Sequence, residues 1–276
     1  MQEQLFLLGI TTLAILLATI SDLKTFEIPD SISYFLIIFG ISAQVLLATS
    51  SKSFGPISAL GTSLILALII ATLLFVSGQW GGGDAKLLVG VAAMLPTYHT
   101  TQIPFILTFT VNLFLLGGVY SILIMTYLTV KNWNKLIKIA PKVKSLLMIS
   151  LIALIIPVII KNPSLFILPI FAIGISLTYL AIIIQKHLFI KKIKPSQLTE
   201  GDWLTTDLKI GNKLIYKVRK TGVFEEDIKK IQKEYKKLIE VKTGIAFGPS
   251  FLFSIIVSGY VGDIIFKIIP FILSKI

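Results

Sequence analysis

Long apolar blocks, separated by short polar or Gly/Pro-bearing breaks, run through most of the chain. They cover residues 4–21, 31–49, 57–77, 85–101, 103–130, 145–161, 164–185 and 245–262. Blocks of about 20 apolar residues are what a hydrocarbon layer about 30 Å thick demands of a spanning helix. The breaks carry turn formers, as in Ser50-Ser51-Lys52-Ser53-Phe54-Gly55-Pro56. The pattern predicts an all-α, polytopic transmembrane helical bundle of about eight spans. The fourth block carries Pro96, His99 and Thr100. Its alternative reading is a half-helix buried against its neighbours, which protein-enclosed membrane sites permit.

One sizeable stretch, 186–244, breaks the apolar pattern. Within it, Glu225 to Glu240 sets Ile228, Ile231, Tyr235, Leu238 and Ile239 near one helical face, with lysines elsewhere. Leu208-Lys209-Ile210 and Leu214-Ile215-Tyr216 flank Gly211-Asn212, the pattern of a small hairpin. A small α+β cytoplasmic subdomain is therefore expected. The organisation that follows is a membrane core over 1–130, a basic loop and helical hairpin over 131–185, the soluble subdomain over 186–244, and a C-terminal span within 245–276.

Composition sharpens the picture. Hydrophobic residues make up 55% of the chain and charged residues 14%, with a mean hydropathy of +0.88; a soluble globule carries nearer a quarter charged residues. The formal net charge is +12, and 20 of the 26 lysines and arginines lie in just two segments, 131–144 and 186–242. Basic clusters beside spans mark cytoplasmic loops facing anionic lipid headgroups. They lack the interleaved aromatics of a nucleic-acid groove, so the bilayer and not a nucleic acid is the expected partner. With both basic segments inside, counting back through the spans puts the N-terminus outside and loops 22–30 and 78–84 inside. The opening Met-Gln-Glu-Gln lacks a basic n-region, and the first apolar block reads as a retained span. Absence of cysteine excludes disulfides, Cys-ligated zinc and thiol catalysis.

Ionisable residues near hydrocarbon are the informative ones in such a chain. Asp22, Glu27, Asp30 and Asp84 sit near span ends in the N-terminal half. Asp22 ends the first span going inward and Asp84 follows the third, so both fall on the cytoplasmic side. Two carboxylates sharing a dry pocket hold one proton between them. The ionised member can then take a proton from water while the other polarises a carbonyl, which is peptide hydrolysis without metal or cofactor. The run Trp80-Gly81-Gly82-Gly83-Asp84-Ala85-Lys86 adds glycines that permit a sharp turn and close approach. Asp84 is also suited to capping the following helix.

Gly81-x-Gly83-Asp84-x-Lys86 resembles the G-x-G-D-x-K signature of type IV prepilin peptidases and archaeal preflagellin peptidases. Upstream, Asp22-Leu23-Lys24 followed by Glu27-Ile28-Pro29-Asp30 is similar to the first-aspartate motif of the same family. The likeness is clearest over residues 5–95, with a fainter echo in Gly244-Ile245-x-Phe247-x-Pro249-x-Phe251-Leu252. It implies Asp22 and Asp84 as the catalytic pair, Gly81 and Gly83 as shapers of the turn, and no cofactor. The implied substrate is a prepilin or preflagellin with a short basic leader before a hydrophobic helix, cut at the cytoplasmic face of the cell membrane. Glu27 and Asp30 are then placed to attract the leader, and Lys24 and Lys86 to steady a carboxylate or the oxyanion. The missing cysteines rule out the zinc region of many bacterial members and favour an archaeal-type peptidase.

Two rival readings use the same aspartates. An intramembrane protease of the signal-peptide-peptidase type also carries G-x-G-D, and an ion-coupled transporter could use the pair as a cation site. The remaining polar residues have structural readings. Asn112 is expected to hydrogen-bond between helices, Trp80 and Trp133 to anchor at the interface, and Glu200, Asp202 and Asp207 to form a solvated face. His99 and His187 fall on opposite sides of the membrane, which leaves no histidine metal site.

Overall fold

A computed structural model describes residues 2–98, 103–161, 163–211, 213–219 and 221–264. His99, Thr100, Asn212 and 265–276 lie outside the described residues. The apolar blocks form helices in chain order: α1 (Gln2–Thr25), α2 (Asp30–Ser51), α3 (Gly55–Val76), α4 (Gly82–Met94), α5 (Phe105–Lys131), α6 (Trp133–Ile139), α7 (Lys142–Ala153), α8 (Ile155–Ile160) and α9 (Ile167–His187). Strands β1 (Ile190–Ile193), β2 (Trp203–Leu204), β3 (Leu208–Ile210) and β4 (Lys213–Tyr216) follow, then α10 (Glu225–Glu234), β5 (Ile239–Lys242) and α11 (Gly248–Tyr260). The protein is thus a transmembrane helical bundle with a small strand-containing region.

Among the described residues, six helical stretches are long and apolar enough to cross a membrane: α1, α2, α3, α5, the α7–α8 run and α9. The α7–α8 run is interrupted at Leu154, where Pro157 has no N–H to offer the Ala153 carbonyl. The expected fourth and last spans are shorter. Helices α4 and α11 have 13 residues each and rise about 20 Å at ~1.5 Å per residue. The eight expected crossings therefore become six full-length helices and two short ones in the described residues. The expected basic loop 131–144 also holds a helix, α6, whose Leu136 is fully buried with Val143, Leu180 and Ile184.

Helix α4 forms the centre of the membrane core. Leu87, Leu88, Val91, Ala92, Ala93 and Met94 are all completely buried. Its ending inside protein leaves C-terminal carbonyls that need partners, since none comes from lipid. The neighbouring helices supply them. Ser63 Oγ of α3 donates to the Ala92 carbonyl at 3.0 Å, and Gln44 Nε2 of α2 donates to the Met94 carbonyl at 3.3 Å. Two glycines let α2 and α4 touch at backbone distance. A Cβ on Gly40 would lie 2.6 Å from the Ala93 carbonyl carbon, and one on Gly90 2.9 Å from Leu36 Cβ. Small residues at such crossings are how helices associate where lipid is as apolar as leucine. Asn112 of α5 donates to Ser258 Oγ and to the Gly262 carbonyl, both at 2.8 Å, and accepts from Ile264 N–H, so it does bond between helices as expected.

The polar stretch has its own core of Leu198, Leu204, Ile215, Tyr216, Val223, Ile231, Ile239 and Val241. Strand β5 is central to a three-stranded antiparallel sheet in the order β1-β5-β2, and β3 pairs with β4 as the expected hairpin. The helix expected over 225–240 stops at Glu234. Beyond it, Ile239 and Val241 alternate inward with strand period, because pairing with residues 190–193 and 203–204 takes this segment into the sheet.

Candidate active site

Asp22 lies in the last turn of α1 and is only 6% exposed. Its Oδ2 accepts a 2.6 Å hydrogen bond from the Gly248 N–H. Helix α11 begins at Gly248, so this amide is among the first-turn donors that a helix leaves without internal partners. Asp22 supplies the missing acceptor from a different helix, at the end where the helix dipole favours negative charge. The Gly248 carbonyl in turn accepts from Thr19 Oγ1 at 2.9 Å. Thr19 and Asp22 stand three residues apart, on one face of α1.

Asp84 is the third residue of α4, not its cap. Its Oδ2 reaches back to accept from the Gly81 N–H at 3.2 Å, the reciprocal half of a capping box. Asp84, 62 positions further along the chain, lies within electrostatic reach of Asp22. Tyr120 of α5 also falls within electrostatic reach of Asp22.

The glycine run works differently from the expected sharp turn. Left-handed backbone is found at Gly78 (φ 73°) and not at Gly81, Gly82 or Gly83. Gly83 provides close approach instead: a Cβ there would sit 3.0 Å from Ile28 Cβ. That contact brings the α1–α2 connection against the start of α4. The connection itself turns at Phe26, whose φ of 59° is left-handed, and its N–H bonds the Asp22 carbonyl at 2.8 Å. Trp80 is 7% exposed and therefore no interfacial anchor. Its ring packs on Phe247, Phe251 and Phe114 at centroid distances of 6.1, 5.7 and 6.3 Å.

The four charged candidates around the pair divide. Lys86 Nζ bonds both carboxylate oxygens of Asp30 at 2.7 Å, so these two neutralise each other beside the site. Glu27 is exposed in the α1–α2 connection, with its carbonyl accepting from Ser21 Oγ at 3.0 Å. Lys24 is exposed in the last turn of α1 and makes no salt bridge among the described residues. The turn 199–202 of the strand-containing region comes to the same place. Glu200 is within electrostatic reach of Lys86, and Asp202 of Glu27. Asp202 is half-buried and accepts from the Thr199 N–H at 2.9 Å, so the expected fully solvated face is partly folded onto the core. Asp207 stays exposed, accepting from the Val218 N–H at 2.8 Å.

Thr19, Tyr120 and Gly248 do not stand out in the sequence, and Phe247 does so only within the faint echo over 244–252. The local signal at Gly248 is Gly248-Pro249, a helix start with proline in the first turn. Nothing nearby says that its amide faces Asp22, 226 residues earlier.

With this geometry in hand, comparison with known proteins is informative. Residues 9–122 match the type IV leader peptidase family, and that interval holds Asp22, the glycine run and Asp84. The chain is 30% identical over 139 residues to a preflagellin peptidase of Methanococcus voltae, a match covering 47% of this chain and 59% of that protein. It is 31% identical over 94 residues to a preflagellin peptidase of Methanocaldococcus jannaschii, covering 34% and 39%. A third, from Methanococcus maripaludis, is 28% identical over 90 residues, covering 33% and 39%. The chain thus spans between 39% and 59% of the length of the curated relatives it matches. The match to the type IV leader peptidase family thus falls on the aspartate-bearing core, residues 9–122, and it is this part of the chain that is similar to that family.

Proposed function

We propose that this protein is a membrane aspartic endopeptidase that removes the short basic leader of preflagellin- or prepilin-type precursors. The reading is supported above all by Asp84 lying within electrostatic reach of Asp22, two carboxylates from separate helices in the segment matched to leader peptidases. One proton shared between them suffices. The ionised carboxyl takes a proton from water as the water oxygen bonds to the scissile carbonyl carbon, and the other carboxyl gives its proton to the carbonyl oxygen. Collapse of the tetrahedral intermediate breaks the C–N bond. The leaving nitrogen takes a proton from the first carboxyl, and the second regains one from the gem-diol. The two act as a unit, and neither is assigned the base role.

The site is proposed to open on the cytoplasmic face. The lysine-rich region 186–242 comes within electrostatic reach of the bundle at Lys86 and Glu27, near Asp84 and Asp22 in the sequence. Basic segments of this length beside spans stay on the cytoplasmic side. A basic leader arriving there would meet Glu27, with Glu200 and Asp202 close by, whereas Asp30 is already paired with Lys86.

The test is cleavage of a precursor with a basic leader before an apolar helix, in proteoliposomes. Asp22→Asn and Asp84→Asn should each lower kcat by at least about 100-fold, and the double variant should be no slower than the worse single one. Normal product from either single variant would end the dyad reading. Cleavage inside the spanning helix would point to a signal-peptide-peptidase type. Aspartate-dependent cation uptake without proteolysis would point to a transporter.

A further inference from the structure

We propose that Phe247 and Gly248, the start of α11, form a positioning clamp that fixes Asp22 and the Asp84 turn relative to each other. The inference rests on the dyad reading above and concerns how the pair is kept in register.

Gly248 commits both of its backbone polar groups to α1. Its N–H bonds Asp22 Oδ2 at 2.6 Å, and its carbonyl, at 2.9 Å, shares the single Thr19 hydroxyl proton with the Ile15 carbonyl at 2.8 Å. Only glycine permits this approach. A Cβ would lie 2.9 Å from Thr19 Cα and 3.0 Å from Asp22 Oδ2, a backbone atom and the bonded oxygen itself. Phe247 faces the other way. Its ring lies over Gly117 of α5, where a Cβ would come within 2.7 and 2.9 Å of ring atoms. The same ring packs on Trp80, the residue before Gly81, whose N–H holds Asp84. Two adjacent residues thus reach both aspartate-bearing segments. Neither residue ionises, and both act through the carboxylates they steady.

Each hydrogen-bonded contact is short, so a small displacement of α11 moves the Asp22 carboxylate with it. Relieving the Gly248→Ala overlap from 2.9 Å to an ordinary 3.4 Å needs a shift of about 0.5 Å. Misplacement on the scale of 1 Å costs about 100-fold in rate, so Gly248→Ala should lower kcat by about 10- to 100-fold. KM should stay within about twofold, because the lost interaction concerns the reacting groups and not substrate binding. Thr19→Val, which deletes the hydroxyl at constant shape, should lower kcat by a smaller factor, and Thr19→Ser should restore it.

The experiment measures kcat, KM and the pH–rate profile of folded protein for Gly248→Ala, Thr19→Val and Thr19→Ser, beside Asp22→Asn. Lower kcat with a moved limb of the pH profile, rescued by serine, is the expected result. A purely structural role would reduce the yield of folded protein but leave kcat and pH profile unchanged. Wild-type kcat and profile in folded Gly248→Ala would overturn the clamp. If that variant does not fold, the same result in Thr19→Val decides, as does equal slowing by valine and serine. A rise in KM at unchanged kcat would also overturn it. An active Asp22→Asn would instead sink the dyad reading, whereas an inactive Asp22→Asn beside unaffected clamp variants would sink the clamp alone.

Discussion

Replacing Gly40 by alanine tests whether α4 is seated by direct backbone contact. The new Cβ would meet the Ala93 carbonyl carbon at 2.6 Å and the Ala93 oxygen and Met94 nitrogen at 2.7 Å. None of these atoms can rotate aside, so α2 and α4 must separate by about 0.8 Å to reach an ordinary 3.4 Å. Overpacking of this kind costs about 1–3 kcal/mol. Alanine also gains up to about 1 kcal/mol in helix propensity over glycine, which would mask part of the loss. Gly61 of α3 provides the control, since a Cβ there meets nothing within 4 Å. Subtracting Gly61→Ala from Gly40→Ala cancels the propensity gain and should leave Gly40→Ala less stable by about 1–3 kcal/mol. Reversible unfolding in mixed micelles, followed by tryptophan fluorescence, measures the difference. Because Asp84 lies in the first turn of the same helix, kcat for the proposed leader cleavage should fall as well. Equal stability of the two variants would refute the tight α2–α4 seating.

Two further outcomes follow from named contacts. Ser63→Ala leaves the buried Ala92 carbonyl without its α3 donor, which should cost about 1–3 kcal/mol in the same unfolding assay; an unchanged midpoint would mean that this carbonyl finds another partner. Burial holds the Asp202 carboxyl above its usual value of 3.8, with the Thr199 amide drawing it partly back and Glu27 adding to the rise. The folded form therefore binds that proton more tightly than the unfolded chain, and stability falls as pH rises from 3.8 through the raised native value. Asp202→Asn should flatten that part of the stability–pH curve, and a curve parallel to wild type would show that Asp202 is not its source.

The bundle was legible because spanning a bilayer demands runs that no soluble core needs, and α1, α2, α3, α5 and α9 follow their apolar blocks closely. The end of α4 was legible only in part. Pro96 breaks the block and has no N–H for the Ala92 carbonyl, but the side chains that satisfy the freed carbonyls, Ser63 and Gln44, lie on other helices. The 225–240 segment failed for a similar reason. Its apolar spacing fits a helix, yet Ile239 pairs with Ile193, and Val241 with both Lys191 and Leu204, on strands far upstream. At the candidate site, Asp22 and Asp84 stood out by residue type and motif, whereas Gly248 and Thr19 contribute a backbone amide and a hydroxyl. Such groups occur throughout the chain and gain meaning only from where they face. Trp80 was misread because residue type alone cannot separate a tryptophan at a lipid interface from one enclosed by Phe247, Phe251 and Phe114.

The proposed cytoplasmic opening does not depend on how many times the chain crosses the bilayer. Span counting placed both aspartates inside only if all eight blocks cross, and two of the corresponding helices are too short to do so alone. The strand-containing region offers an independent link, because Glu200 lies near Lys86 and Asp202 near Glu27, both flanking the pair. That region carries most of the chain's lysines, so whichever leaflet it faces is the one the site faces. Positive charge of this density favours the cytoplasmic leaflet. The proposed orientation and the proposed chemistry therefore rest on one set of electrostatic neighbours around the α1–α2 connection, and on that proposal a leader's basic residues would meet the acidic groups there before the scissile bond reaches the aspartates.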